Sequence, residues 1–186
     1  MSETPRALIV YESMFGNTWK VAAAIRDGLA TAVDTDLVRA DRAPAEIPAD
    51  VRLLVVGGPT HAFSMSRPST RSDAANQGEV LMPVETGIRE WLEELPHRSR
   101  STVTATFDTR IRKVGRLPGS AARSAAKLLR RRDFRLMTAP ASFFVDETTG
   151  PIDERELARA RQWGEDLGVE LRSVIGPISG RTRRSA

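Results

Sequence analysis

The chain has 186 residues, 40% apolar and 28% charged, a composition ordinary for one globular domain long enough to bury a layered core. It has no cysteine, which excludes disulfides, thiol catalysis and thiolate-held iron–sulfur clusters, and its two histidines, His61 and His97, offer no zinc-ligand spacing. The net charge of +4 and pI near 10.3 raise the question of nucleic acid, but Arg181, Arg183 and Arg184 lie in a terminal stretch, residues 177–186, expected to be a disordered basic tail, and the rest is close to neutral.

Ala7-Leu8-Ile9-Val10-Tyr11 is an apolar run suited to a strand buried on both faces. It breaks at Glu12, passes through Ser13-Met14-Phe15-Gly16-Asn17-Thr18, and opens into a helix with Val21, Ile25, Leu29 and Ala32 on one face. Asp34-Thr35-Asp36 ends that helix, and Leu37-Val38 with its neighbours makes a short second strand. Two prolines in residues 41–50 leave room for at most one helical turn, around residues 44–47. Residues 51–56 read as the third strand, ending in Gly57-Gly58-Pro59-Thr60-His61.

Residues 62–85 form a long irregular stretch, and loops of that length in compact domains are functional or disordered. This one leaves the carboxyl end of a strand, so it is expected to lie partly ordered over a site, with a short helix near residues 71–76. Thr86 is placed to cap a helix that buries Ile88, Trp91, Leu92 and Leu95 and stops at Pro96. Residues 102–107 read as strand four, breaking into a loop at 108–115, and Pro118-Gly119-Ser120 announces a helix with Ala121, Ala125, Leu128 and Leu129 inward. Residues 134–138 read as strand five, with Ser142-Phe143-Phe144-Val145 beyond Pro140 as a candidate continuation. Asp153-Glu154-Arg155-Glu156 has the form of a capping box, and Leu157, Ala160, Gly164, Leu167, Leu171 and Val174 follow at helical spacing. The alternation, with no repeat and no linker, predicts one doubly wound parallel α/β domain over residues 1–176. No apolar run approaches bilayer length and no signal-peptide core precedes the first strand, so a cytoplasmic location is expected.

The segment 13–18 is the chemically suggestive one. Backbone N–H groups in a first helical turn lack intrahelical partners and carry partial positive charge, so a hydroxyl-bearing loop entering a helix suits a phosphate. Ser13, Asn17 and Thr18 add side-chain donors, and Gly16 permits a tight turn. The plain alternative is a β-to-α turn of any doubly wound domain, as Gly57-Gly58-Pro59 could be only a strand-end turn. His61 reads as a local packing or hydrogen-bonding residue rather than a base. The dinucleotide and P-loop glycine fingerprints are absent. Arg123, Lys127, Arg130 and Arg131 share one helix surface and read as a solvated face; without aromatic interleaving, no nucleic-acid partner is expected.

Ser13, Gly16, Asn17 and Thr18 resemble the flavodoxin phosphate loop, Thr/Ser-x-Thr-Gly-Asn-Thr, which cradles the 5′-phosphate of FMN; Phe15 replaces one hydroxyl of that pattern. Gly57-Gly58-Pro59-Thr60 is close to the family's Gly-x-Pro-Thr, and the strand–loop pattern extends the resemblance across residues 6–172. The resemblance implies a flavodoxin-like, three-layer α/β/α fold with a five-stranded parallel sheet in the order 2-1-3-4-5, FMN as cofactor, and a redox partner protein, reductase or acceptor. It assigns Ser13, Met14, Phe15, Gly16, Asn17 and Thr18 to the phosphate, and Pro59, Thr60, His61 and Phe63 to one face of the isoalloxazine ring. Thr106, Phe107, Asp108 and Arg110 are assigned to the other face and the pyrimidine edge, where Asp108 would disfavour an anionic reduced flavin and Arg110 would favour it.

The family's Trp/Tyr sandwich has no counterpart: Tyr11 lies in strand one, and Trp19, Trp91 and Trp163 fall on helices. Flavodoxins are strongly acidic and this chain is not, so its docking face is expected to differ. Two functions stay open. One is an FMN protein in electron transfer or flavin-dependent reduction, a class that includes quinone-coupled flavoproteins acting on porphyrinogens. The other is a flavodoxin-like binding module that has lost FMN and works through protein contacts or another phosphate ligand.

Overall fold

The structure is a computed structural model that describes residues 5–96, 101–114 and 118–175. His97 and the predicted tail, residues 177–186, lie outside these. The strands are β1 (Arg6–Tyr11), β2 (Asp34–Arg39), β3 (Val51–His61), β4 (Ser64–Met65), β5 (Val103–Ile111), β6 (Arg135–Leu136) and β7 (Ala141–Val145). The helices are α1 (Asn17–Leu29), α2 (Pro68–Ala75), α3 (Ile88–Glu94), α4 (Ala121–Arg131) and α5 (Glu154–Ile175). The sheet runs β2-β1-β3-β5, and its fifth place is shared by two pieces parallel to β5. β6 pairs the start of β5 (Val103↔Arg135) and β7 its end (Phe107↔Ala141). Pro140 supplies no backbone donor, so the expected single fifth strand is divided there.

The period of two along β1 builds the three layers. Ala7, Ile9 and Tyr11 face a core shared with Val21, Ile25 and Leu29 of α1 and Ala160, Leu167 and Leu171 of α5. Leu8 and Val10 face the opposite core, with Ile88 and Leu92 of α3 and Ala125 and Leu129 of α4. Val21, Ile25 and Leu29 are fully buried as the helical spacing predicts, while Ala32 lies past the end of α1 and Val174 is 45% exposed. This is a flavodoxin-like, three-layer α/β/α arrangement.

Several expected boundaries move. The turn expected at residues 44–47 occurs instead as a 3-10 turn at Ala40–Arg42. β3 does not stop at Val56; it continues through Gly57-Gly58-Pro59 to His61, because Gly57↔Phe107, Gly58↔Asp108 and Pro59↔Thr109 remain in register. β5 likewise runs on through Asp108, Thr109 and Arg110, which were expected to be loop. Residues 62–85 contain β4, antiparallel to the end of β3, and α2. The residue preceding α3 is Gly87 rather than Thr86, and Glu90 accepts its N–H at 2.9 Å. At α5, Asp153 accepts the N–H of Arg155, but Glu156 reaches outward to accept the Phe144 N–H at 2.9 Å, so the expected capping box is only half made.

Candidate functional site

The loop after β1 is held by backbone and hydroxyl contacts rather than by packing alone. Ser13 Oγ accepts the N–H of Gly16 at 3.1 Å, and the carbonyl of Met14 accepts the N–H groups of Leu81 and Met82 at 3.0 and 3.1 Å. Gly16 precedes α1 with φ 87° and ψ −15°, the left-handed region that a Cβ disfavours. Among the described residues no side chain caps α1. Its first-turn donors are therefore available to a ligand.

The other helices contrast with this. Ala121 donates to Thr60 Oγ1, Ala122 to Asp108 Oδ2 and Arg123 to Ser120 Oγ, at 2.9, 2.9 and 3.2 Å, so the start of α4 is closed by side chains from β3, β5 and its own cap. At α3, Glu12 Oε2 accepts the N–H of Ile88 at 3.0 Å. At α2, Pro68 occupies the first turn and has no N–H to satisfy.

A cavity of about 300 Å³ opens beside the start of α1, at the small end of the range for ligand sites. Ser13, Met14, Phe15, Asn17, Thr18, Pro59, Thr60, His61 and Arg110 line it, so the structure brings these sequence-assigned residues together. Thr18 Oγ1 lies 2.7 Å from Thr109 Oγ1, joining the first turn of α1 to β5. His61 Nδ1 is 3.2 Å from the carbonyl oxygen of Thr70. A carbonyl can only accept, so Nδ1 carries a proton. Burial pushes the imidazole pKa below its ordinary value, against a smaller opposing effect of the Thr70 contact, and so favours the neutral ring with its lone pair on Nε2.

The remaining assigned residues stand elsewhere. Gly16 is not in the cavity lining, and Phe63 is 47% exposed at the turn between β3 and β4. Thr106 donates its hydroxyl to the Ala122 carbonyl at 3.0 Å. Phe107 is fully buried against Phe143 and Trp163, edge to face at 6.3 and 6.4 Å between ring centroids. Asp108 is fully buried, its Oδ2 accepting the N–H of Ala122. Thr109 and Ile111, together with Thr70, Asp73 and Gln77 in and after α2, complete the wall, and Thr148 closes it from the loop after β7. The length of the 62–85 stretch was the only signal for the α2 wall, and nothing local pointed to Thr148.

Glu12 ties this wall to the phosphate-type loop. It is 2% exposed, and its Oε1 accepts the Ser66 hydroxyl at 2.5 Å while Oε2 accepts Ile88. Arg71 of α2 donates to Ser66 Oγ at 2.9 Å and pairs with Glu90 of α3 at 3.2 Å. Burial pushes the Glu12 pKa above the ordinary carboxylate value, with the Ser66 and Ile88 contacts pulling the other way. No cluster of potential metal ligands occurs among the described residues, and no helix among them is long and apolar enough to cross a membrane.

No family model matches the sequence, and no curated protein does. Solved structures do. A flavodoxin from Streptococcus pneumonia TIGR4 superposes with a TM-score of 0.62 at 17% identity, covering 88% of this chain and 98% of that one. Flavodoxin 2 from Bacillus cereus gives 0.60 at 18% identity over 91% and 99%. The flavodiiron core Flv1 from Synechocystis sp. PCC6803 gives 0.61 at 15%, with 93% of this chain matching 37% of that one. At these identities the likeness establishes the fold: the chain has a flavodoxin-like fold that spans nearly the full length of those two flavodoxins.

Proposed function

We propose that the protein is an FMN-binding flavodoxin-like protein acting in electron transfer or as a small flavin-dependent oxidoreductase. The observation that carries this reading is the uncapped start of α1 at the cavity, in a fold where the start of α4 is closed by side chains. Free first-turn donors, the hydroxyls of Ser13 and Thr18 and the Asn17 amide suit a phosphate monoester chemically. Pro59, His61, Ala62 and Ile111 offer a mostly apolar wall for a planar ring. Bound flavin would supply the one- and two-electron chemistry, and these residues would hold and orient it. The neutral His61 would present an acceptor nitrogen at that wall, and Arg110 would bias the local potential toward anions. An electron-exchanging partner protein, and a cytoplasmic location for that exchange, complete the reading.

A second reading is favoured by one observation: neither Phe63 nor Phe107 lines the cavity, and no Trp or Tyr does so either. Phe15 is the one Phe, Trp or Tyr in the lining, at the phosphate-type loop, so a ring held without a pair of flanking aromatics is held less strongly, and the alternative is a binding module that takes a phosphate-bearing ligand other than FMN. Purification followed by a visible spectrum and titration with FMN separates the two. The first reading expects the two absorption bands of oxidised flavin or saturable quenching of added FMN fluorescence. Neither signal, with the fold intact by circular dichroism, leaves the second.

A further inference from the structure

The outer face of α4 is densely cationic. It carries Arg123, Lys127, Arg130 and Arg131, all exposed, and the helix contains no acidic residue. Lys127 lies four residues from both Arg123 and Arg131 and three from Arg130, spacings at which like charges repel and weaken a helix. Several surface cations elsewhere are matched, Arg26 with Asp27, Arg112 with Asp146, Arg159 with Glu156 and Arg161 with Glu165, while others such as Lys20, Arg42 and Arg155 stand singly rather than as a cluster on one helix face. Among the described residues no carboxylate forms an ion pair with the four on α4. Packing needs only the inner alanines and Leu129 of this helix, so the fold does not require its outer charge.

A separate irregularity adjoins it. His61↔Ser64 pairing leaves Ala62 and Phe63 as a two-residue turn with φ 46° and 64°. Turns of this kind are normally made by Asn-Gly, and a bulky residue at positive φ is an outlier. Such outliers cluster at functional positions. Ala62 borders the cavity, and Phe63 is exposed. The turn is fastened to the start of α4: a Cβ on Gly119 would come within 2.6 Å of the Phe63 carbonyl oxygen, and Ser64 Oγ lies 2.9 Å from Ser124 Oγ. Arg89 joins at the same point, donating to Ser64 Oγ at 3.0 Å.

We propose that Phe63, with the cationic outer face of the helix that starts beside it, forms a docking face for a protein partner that is acidic around its own redox centre. An exposed aromatic at the start of a cationic helix has the composition of a protein interface, and the helix charge would steer an acidic partner toward the cavity edge. A protein is favoured over nucleic acid because one aromatic stands alone, with no series on which bases could stack. The proposal rests on the flavin reading only for what is exchanged, not for the contact itself.

The test uses the full chain, with and without FMN, and three probes: a plant-type [2Fe–2S] ferredoxin as the acidic carrier, cytochrome c as the basic one, and a short DNA duplex. Ferredoxin is expected to bind more tightly than cytochrome c or DNA, and to weaken as salt rises. The combined Arg123→Glu, Lys127→Glu and Arg130→Glu variant is expected to lose about tenfold or more of that affinity. Replacing Ala62 and Phe63 by Asn and Gly is expected to hold or raise the urea midpoint while weakening ferredoxin binding severalfold. A merely structural Phe63 would lower the midpoint instead. Ferredoxin affinity unmoved by charge reversal, or preferential binding of cytochrome c or DNA, overturns the docking face. Charge-dependent ferredoxin binding by a protein that takes up no FMN sinks the flavin reading and leaves the docking face standing; FMN uptake without ferredoxin discrimination does the reverse.

Discussion

Replacing Glu12 by alanine removes the acceptor for both the Ser66 hydroxyl and the Ile88 N–H, in a position 2% exposed. The buried Arg71 guanidinium keeps its ion pair with Glu90 at 3.2 Å. The two buried donors left without an acceptor together cost about 3–5 kcal/mol, a large part of the stability of an ordinary domain. Urea denaturation followed by circular dichroism reads this directly. Glu12→Gln keeps an acceptor and is expected to cost about a third as much. The pH dependence separates the two ways Glu12 acts. Burial raises its pKa, so the folded protein keeps this proton where the unfolded chain has released it. The associated stability is full below the ordinary carboxylate range and declines as pH rises through the raised value, a decline that Glu12→Gln removes. A loss below about 1 kcal/mol for Glu12→Ala, the range of an exposed ion pair, would refute the view that this carboxylate joins the loop, α2 and α3.

Phe107→Ala is expected to destabilise the fold by about 3–5 kcal/mol while leaving flavin affinity nearly unchanged, since the ring packs on Phe143 and Trp163 away from the cavity; denaturation and FMN titration on the same sample check both. At Gly28 a Cβ would lie 2.1 Å from the Arg161 carbonyl oxygen, so Gly28→Ala should force α1 and α5 apart and cost about 1–3 kcal/mol, read as a lowered urea midpoint. For His61 the sign is opposite to that of Glu12. Its lowered pKa makes its contribution complete above the ordinary imidazole value and lost as pH falls through the lowered one, so His61→Gln should flatten the acid side of the stability profile between those two values.

The parts of this molecule legible in its sequence are those whose signal is local. The apolar run of β1, the glycine at a positive φ, and the helical spacing of Val21, Ile25 and Leu29 all sit within a few residues of each other. What was hidden depends on partners far along the chain. Gly57 and Gly58 carry turn chemistry in isolation, yet they continue β3 because the ring of Phe107 on the neighbouring strand fills the space where a Gly57 Cβ would be, 2.1 Å away. Asp108 looks like a loop residue at a strand end, and its role emerges only when Ala122, fourteen positions later, donates to it. Glu12 and Ile88 are 76 positions apart, so nothing near Glu12 could disclose that it caps α3. The same holds for the cavity: its phosphate-type end is written in one short stretch, while Thr70, Asp73 and Thr148 reach it through tertiary packing.

The central claim is that the start of α1 holds the phosphate of a flavin. Parallel titrations of the protein with FMN and with riboflavin, which lacks that phosphate, test it most directly. Charge-assisted hydrogen bonds contribute about 1.5–3 kcal/mol each, so FMN should bind at least about tenfold more tightly than riboflavin, and Gly16→Ala, by displacing the left-handed residue before α1, should shrink that ratio. Equal affinity for the two ligands, or a ratio indifferent to Gly16→Ala, would contradict it.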